Sequence, residues 1–246
     1  KKFFLRGDNT SLEIASQKSN KYPVSLLLNG KIDLSLISFM TPFLDDLKGI
    51  LALTSQFSIG PKGWNIVGSG FINQGFVRTE ALPHTFDNIE ADLLFDNDKI
   101  LINKYSVDFA SGKVIGNGSL QINGINNVKT DIEGKFNNVT LRVPKDVFSK
   151  GSGDFHITGN WFPYLFQGSY VIQTGAFTKQ LDDDNSSTNR FSRSQLLPSS
   201  LLKKNYELLL FDMDLIFSKG IDIRNDIVES KAYGQLHMKG PPTQPI

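Results

Sequence analysis

The sequence predicts an all-β protein, and three observations carry that prediction. Apolar and polar residues alternate with a period of two along most of the chain. Short clusters of Gly, Asn, Asp and Ser separate the alternating runs. The chain has 19 phenylalanines among 246 residues but is only 39% hydrophobic, so its apolar surface is concentrated in large rings at alternate positions. A period of two sends successive side chains to opposite faces of a sheet. Each strand therefore has one apolar face and one mostly wet face.

The alternation is clearest from Leu82 to Ile122, which reads as three consecutive antiparallel strands. Ile89, Ala91, Leu93 and Phe95 alternate with Glu90 and Asp92. After the turn Asp96-Asn97-Asp98-Lys99, Leu101, Tyr105, Val107 and Phe109 share one parity. After Ser111-Gly112-Lys113, Val114, Gly116, Gly118, Leu120 and Ile122 share one parity.

The rest of the chain repeats this grammar. Leu12–Ala15, Val24–Leu28 and Lys31–Leu36 read as strands, the second closed by Asn29-Gly30, a favoured hairpin pair. Ile37, Met40, Phe43, Leu44 and Leu47 fall instead at helical spacing. Thr41-Pro42 supplies a cap and a first-turn proline, and Gly49 a stop, so one short amphipathic helix is expected over 37–47. Strands resume with Leu51, Leu53, Phe57 and Ile59, then Trp64–Ile72, Gly75–Val77, Val128–Phe136, Val139–Val143, Gly153–Thr158, Leu165–Thr174, Glu207–Phe217, Ile221–Ile223 and Lys231–Met238. Residues 179–200 have little to bury and read as a flexible polar loop, with a helical turn at 201–203. The expected organisation is a single elongated β domain over 1–246, cut from a longer protein because the pattern starts and stops midway. Lys1-Lys2-Phe3-Phe4-Leu5 resembles the start of a signal peptide, but Arg6-Gly7-Asp8 interrupts it. No window approaches the roughly 18 apolar residues of a membrane-spanning helix.

Composition narrows the function classes. The formal net charge is +1, from 26 basic and 25 acidic residues, which gives no support for a nucleic-acid partner. The absence of cysteine excludes disulfide scaffolds and thiolate metal sites. His84, His156 and His237 are far apart in sequence, without metal-ligand spacing. Asp182-Asp183-Asp184 fails the calcium-loop register, with Ser187 and Arg193 where Gly and Glu are needed. Gly68-Ser69-Gly70, Gly116-Asn117-Gly118 and Gly151-Ser152-Gly153 lack the third glycine of a dinucleotide loop, and the first two sit inside strands. There is no nucleophile elbow. The expectation is a protein with no enzymatic activity, no cofactor and no metal.

About 15 strands with one apolar face each must close into a sandwich or barrel, or form a curved trough whose greasy face meets a ligand. Pattern alone leaves both open.

Four segments carry a resemblance to a known family. They are residues 82–122; the stretch Gly153–Asn160 with Leu165–Phe177; the run Phe43–Leu53; and the tail Gly220–Asn225 with Ala232–Pro245. Together they resemble the C-terminal region of the TamB proteins, of the AsmA-like superfamily. The resemblance implies an elongated, curved, mainly antiparallel sheet, a U-shaped β-taco with an apolar interior. It also implies a periplasmic location, an anchor in the inner membrane through parts of the protein outside this chain, and a BamA-type (TamA-like) outer-membrane barrel as partner. The implied work is moving phospholipid between membranes or assisting outer-membrane protein assembly.

Two mechanisms follow from that likeness. In one, phospholipid acyl chains lie in the trough, each buried CH₂ contributing roughly 0.8 kcal/mol. The expected lining is Leu93, Phe95, Leu101, Tyr105, Val107, Phe109, Leu120, Ile122, Ile132, Phe136, Phe155, Ile157, Phe211, Met213, Leu215 and Phe217. In the other, an open sheet edge captures a β-strand of a client or of the barrel partner. A passive solenoid without ligand or client is a third reading.

Overall fold

The computed structural model describes residues 2–20, 22–40, 44–61, 63–79, 82–124, 127–142, 147–177, 209–224 and 229–241. Within them are thirteen strands: β1 (Lys2–Arg6), β2 (Ser11–Ser16), β3 (Val24–Asp33), β4 (Asp46–Gly60), β5 (Gly63–Arg78), β6 (Phe86–Asn97), β7 (Lys99–Phe109), β8 (Gly112–Gly124), β9 (Asn127–Leu141), β10 (Val147–Gly159), β11 (Tyr164–Phe177), β12 (Leu209–Arg224) and β13 (Glu229–Gly240). They form one open, curved sheet in sequence order, with β1 and β13 at its edges. Neighbours are antiparallel except β11 and β12, which run parallel. The expected loop at 179–200 and helical turn at 201–203 lie outside the described residues.

Residues directly opposite each other in a ladder share a face. Following the register, one unbroken row crosses the whole sheet: Leu5, Leu12, Gly30, Leu53, Gly70, Leu93, Ile102, Gly118, Ile132, Ile157, Phe166, Phe211 and Gly240. This is the inward face, which also carries the buried cluster of Val107, Phe109, Val114, Val139, Phe155, Tyr170, Ile172 and Met213.

Several runs expected as separate strands merge at β-bulges. Gly75–Val77 continues β5, Val139–Leu141 continues β9, and Ile221–Ile223 continues β12. Gln74, Asn88 and Asn138 sit at such irregularities with positive φ, at 52°, 48° and 52°. A one-residue bulge changes the parity of the inward positions. The apolar residues of β5 and β9 change parity with it, whereas the irregularity in β12 inserts two residues against β13 and keeps Phe217 and Ile221 on the same side. In β9 the inward set runs Ile132, Gly134 and Phe136, then Val139 and Leu141.

Three tyrosines bind strands that are not neighbours. The Tyr105 ring on β7 lies across Gly116 of β8, and its hydroxyl donates to the Glu133 carbonyl of β9 at 3.0 Å. Tyr170 of β11 crosses Gly151 of β10 to the Val139 carbonyl of β9 at 3.0 Å. Tyr164 of β11 crosses Gly159 to the Val128 carbonyl at 3.2 Å. The intervening glycine leaves room for each ring. A Cβ on Gly116 would stand 2.7 Å from Tyr105 Cζ, closer than a side chain tolerates. Aromatic rings covering strand glycines are a known device for stiffening a curved sheet.

Among the described residues of the span 37–47, no α-helix is formed. A 3-10 helix spans Leu34–Met40 instead, and β4 has already begun at Asp46. Two contacts account for the difference. The Asp33 carboxylate accepts the Ser35 N–H at 2.9 Å, opening the turn early. At the other end Asp46 and Leu47 pair with Arg78 and Val77 and are claimed by the sheet. Leu34 is buried.

A valine at position 134 tests the tyrosine bridges. A Cβ there would meet Phe155 Cζ at 2.6 Å and also the Tyr105 hydroxyl. Gly134→Val should lower unfolding stability by about 1–3 kcal/mol through overpacking. Tyr105→Phe, losing only the hydrogen bond, should cost about 0.5–1.5 kcal/mol. Urea unfolding of both variants measures this, and an unchanged midpoint for Gly134→Val would show the bridge to be dispensable.

Candidate functional site: an uncharged trough

The feature that sets the inward face apart is its chemistry. Among the described residues no Asp, Glu, Lys or Arg takes an inward register position in any strand. The charges alternate onto the outer face, where Asp92 pairs with Lys104 and Asp108 with Lys113 across the ladders. The few inward polar groups are hydroxyls and amides such as Ser55, Thr130 and Ser149, all three buried.

Of the expected lining residues, Leu93, Phe95, Tyr105, Val107, Phe109, Leu120, Ile122, Ile132, Phe136, Phe155, Ile157, Phe211, Met213, Leu215 and Phe217 take inward positions. Leu101 does not. It stands opposite Leu94 and Ser119 on the outer face, while Ile100 and Ile102 point inward. The cause is the bulge at Asn103-Lys104, which changes the parity of β7 before Tyr105. Simple alternation carried back from Tyr105 crosses that bulge and lands on the wrong face.

The inward face is not uniform. From β7 to β12 it packs against itself. Phe136 and Phe155 have ring centroids 4.7 Å apart, Phe155 and Phe166 stack at 5.2 Å, and Phe166 meets Phe211 edge-on at 5.5 Å. Val139 has no exposed surface. Burial, with the Glu133 carboxylate adding to it, pushes the Tyr105 hydroxyl up to about 12. Burial raises Tyr170 as well. Both hydroxyls are thus neutral donors at physiological pH.

The inward positions of β3–β5, including Leu28, Leu53 and Ile72, complete the trough. They were missing from the expected lining, although the alternation from Leu51 to Ile59 was plain enough to find them. A shallow depression of about 640 Å³ lies among Asn29, Lys31, Leu53, Thr54, Ser69, Phe71, Asp92 and Leu93, with a lining of mixed polar and apolar residues.

One end of the trough is drawn together. Nε2 of His84, in the segment before β6, accepts the backbone N–H of Arg142, just after β9, at 3.0 Å. In a flat sheet those strands would be about 14 Å apart. The His84 ring lies edge-on to Phe109 at 5.7 Å, and Phe86 stacks on Phe109 at 4.6 Å.

The TamB C-terminal domain family matches residues 104–246, more than half of the chain. The chain belongs to the TamB family. No curated protein and no solved structure matches it. TamB-family proteins are envelope proteins that take part in outer-membrane assembly with TamA-like partners. The match begins in β7, so it covers the half of the TamB-family trough that packs against itself. Among the described residues no helix is long and apolar enough to cross a membrane, and no cluster of three or more His, Asp or Glu is placed to hold a metal ion.

Two histidines should respond to pH in opposite directions. His84 uses its Nε2 lone pair, so only the neutral ring makes the contact. Burial, then the Arg142 guanidinium, lowers its pKa below the ordinary 6.5. The His84 contribution is complete above 6.5 and is lost as pH falls from there through the lower folded value. His237 on β13 lies 3.0 Å from both Asp212 and Asp214 of β12, on the outer face. Its hydrogen bond to Asp214 raises its pKa, opposed by desolvation and by Lys239 and aided by the charges of Asp214 and Asp212. Its contribution is complete below 6.5 and is lost as pH rises through the higher folded value. An NMR titration of the imidazole signals should place His84 below 6.5 and His237 above it. His84→Gln should remove the acid-side loss of stability. The reverse order of titration would contradict both assignments.

Proposed function

We propose that this chain is the lipid-carrying segment of a periplasmic, envelope-spanning protein, anchored to the inner membrane through parts of the protein outside the chain. In this reading it moves phospholipid between inner and outer membranes and so supports outer-membrane biogenesis. It works without catalysis or cofactor. The observation that carries the reading is the uncharged inward face, continuous across thirteen strands. An acyl chain needs a long hydrocarbon surface and no ionisable group along it. The phosphate headgroup stays at the wet rim, because removing a charge from water without a partner costs far more than the tail gains per methylene.

A second reading has its own support. β1 and β13 end the sheet, and a free edge can pair with a strand of an outer-membrane client or of a BamA-type partner. Backbone pairing would then supply the affinity, and a charge inside the trough would have little effect on it.

Three substitutions separate these readings. Leu93 is inward and half-buried, outside the buried cluster, whereas Phe109 is within that cluster. Leu93→Asp should keep the far-UV spectrum and lose co-purifying phospholipid, measured by native mass spectrometry and lipid extraction. Phe109→Glu should unfold the protein, since it buries an unpaired charge at a cost of several kcal/mol. Lipid retained at wild-type level both in folded Leu93→Asp and in folded Leu28→Asp, an inward position of β3, would exclude the trough as carrier and favour strand capture.

A further inference from the structure

The two halves of the trough differ in what fills them. Between β7 and β12 the inward side chains meet one another: the phenylalanine stack, the tyrosine bridges and the fully buried Val139 leave little apolar surface uncovered. Between β1 and β5 Leu12 and Leu53 are buried, but the inward residues at the hairpin end of β3, β4 and β5 are left uncovered. Val24, Ile59 and Trp64 stand directly opposite one another at the hairpin end of β3, β4 and β5, exposed by 41%, 43% and 41%. Phe3 and Leu5 on the edge strand are also exposed. Large apolar side chains grouped on one face, in register and uncovered, mark a surface made to meet something apolar.

We infer that the trough is divided: β1–β5 receive the acyl chain, with Val24, Ile59 and Trp64 as the lip where it enters, and β7–β12 are filled by their own side chains and exclude it. The occupant follows from the chemistry. An ionic or strongly polar ligand would find no charged partner at any inward position of β1–β5. Trp64 sits at the hairpin end, where an indole can rest its ring on hydrocarbon and turn its N–H toward the headgroup layer. Leu28 and Ile72 continue the uncharged surface inward from this lip. The division rests on the lipid-carrying reading above and locates its site.

Photocrosslinking tests it in the full chain. Benzoylphenylalanine is placed at Leu28 and Ile59 in one half, and at Phe166 and Leu215 in the other. Each variant is first checked by far-UV spectroscopy, then irradiated with vesicles of labelled phosphatidylethanolamine and phosphatidylglycerol. Labelling at Leu28 and Ile59 should exceed that at Phe166 and Leu215 by at least about tenfold. Equal labelling in both halves, or labelling confined to Phe166 and Leu215, overturns the division while leaving the lipid-carrying reading in place. Labelling at none of the four sites overturns that reading and the division with it.

A second measurement reads the lip itself. Trp64 and Trp161 are the only tryptophans in the chain. In a Trp161→Phe variant, vesicles of brominated phosphatidylcholine should quench Trp64 fluorescence. Emission unchanged by those vesicles would overturn the placing of the lip.

Discussion

The constraint on which the rest of this structure depends is parity. A sheet of thirteen strands in sequence order has no second sheet to cover it, so its apolar side must stay apolar in every strand. One residue out of step would turn a strand over and bring its charges into the trough. The bulges in β5, β6, β7, β9 and β11 make this harder, because each changes the parity partway along its strand. The sequence follows each change, and after these bulges the apolar residues resume on the shifted positions; the irregularity in β12 leaves the parity unchanged, with Phe217 and Ile221 both inward. Curvature and an uncharged interior are thus compatible only because the bulges and the hydrophobic pattern coincide.

Glycine and tyrosine solve a related problem of space. Inward rows that held a large side chain on every strand would jam as the sheet curled. Placing glycine beside tyrosine lets the ring lie flat over the neighbouring strand and reach the next one. All three tyrosine bridges end on carbonyls of β9. That strand therefore holds its neighbours by ladder hydrogen bonds and holds β7 and β11 by side chains as well. The aromatic stack from Phe136 to Phe211 lies over the same region, and packing and polar bonding reinforce each other there.

Much of this was legible in the sequence. The strands from Leu82 to Ile122 and the side of nearly all the expected lining residues follow from a period of two, which depends only on backbone geometry. Leu101 was misplaced because a bulge is a tertiary accommodation, and Asn103-Lys104 carries no signal as strong as a glycine or proline. The helix at 37–47 was misjudged for another reason: Leu47 satisfies a helical spacing and a strand alternation equally, and pairing with Val77 decided between them. Lys2–Arg6, whose likeness to a leader Arg6-Gly7-Asp8 already interrupts in the sequence, is an edge strand with Phe3 and Phe4 exposed. The uneven filling of the trough could not have been read at all. Which rings touch depends on how far the sheet curls, and alternation is silent on that.

The parallel step between β11 and β12 has a consequence for how the sheet is assembled. From β1 to β11 every new strand folds back on the one before it, so the sheet can lengthen by short-range hairpin closures as chain becomes available. β12 cannot be added that way. It runs parallel to β11, so its start at Leu209 must be brought back beside Tyr164, at the opposite end of β11 from where that strand finishes, before the two can pair. The β12–β13 hairpin is consequently a late and separable unit: its removal would leave the preceding eleven strands with all their mutual pairings intact, ending in β11 as a fresh edge.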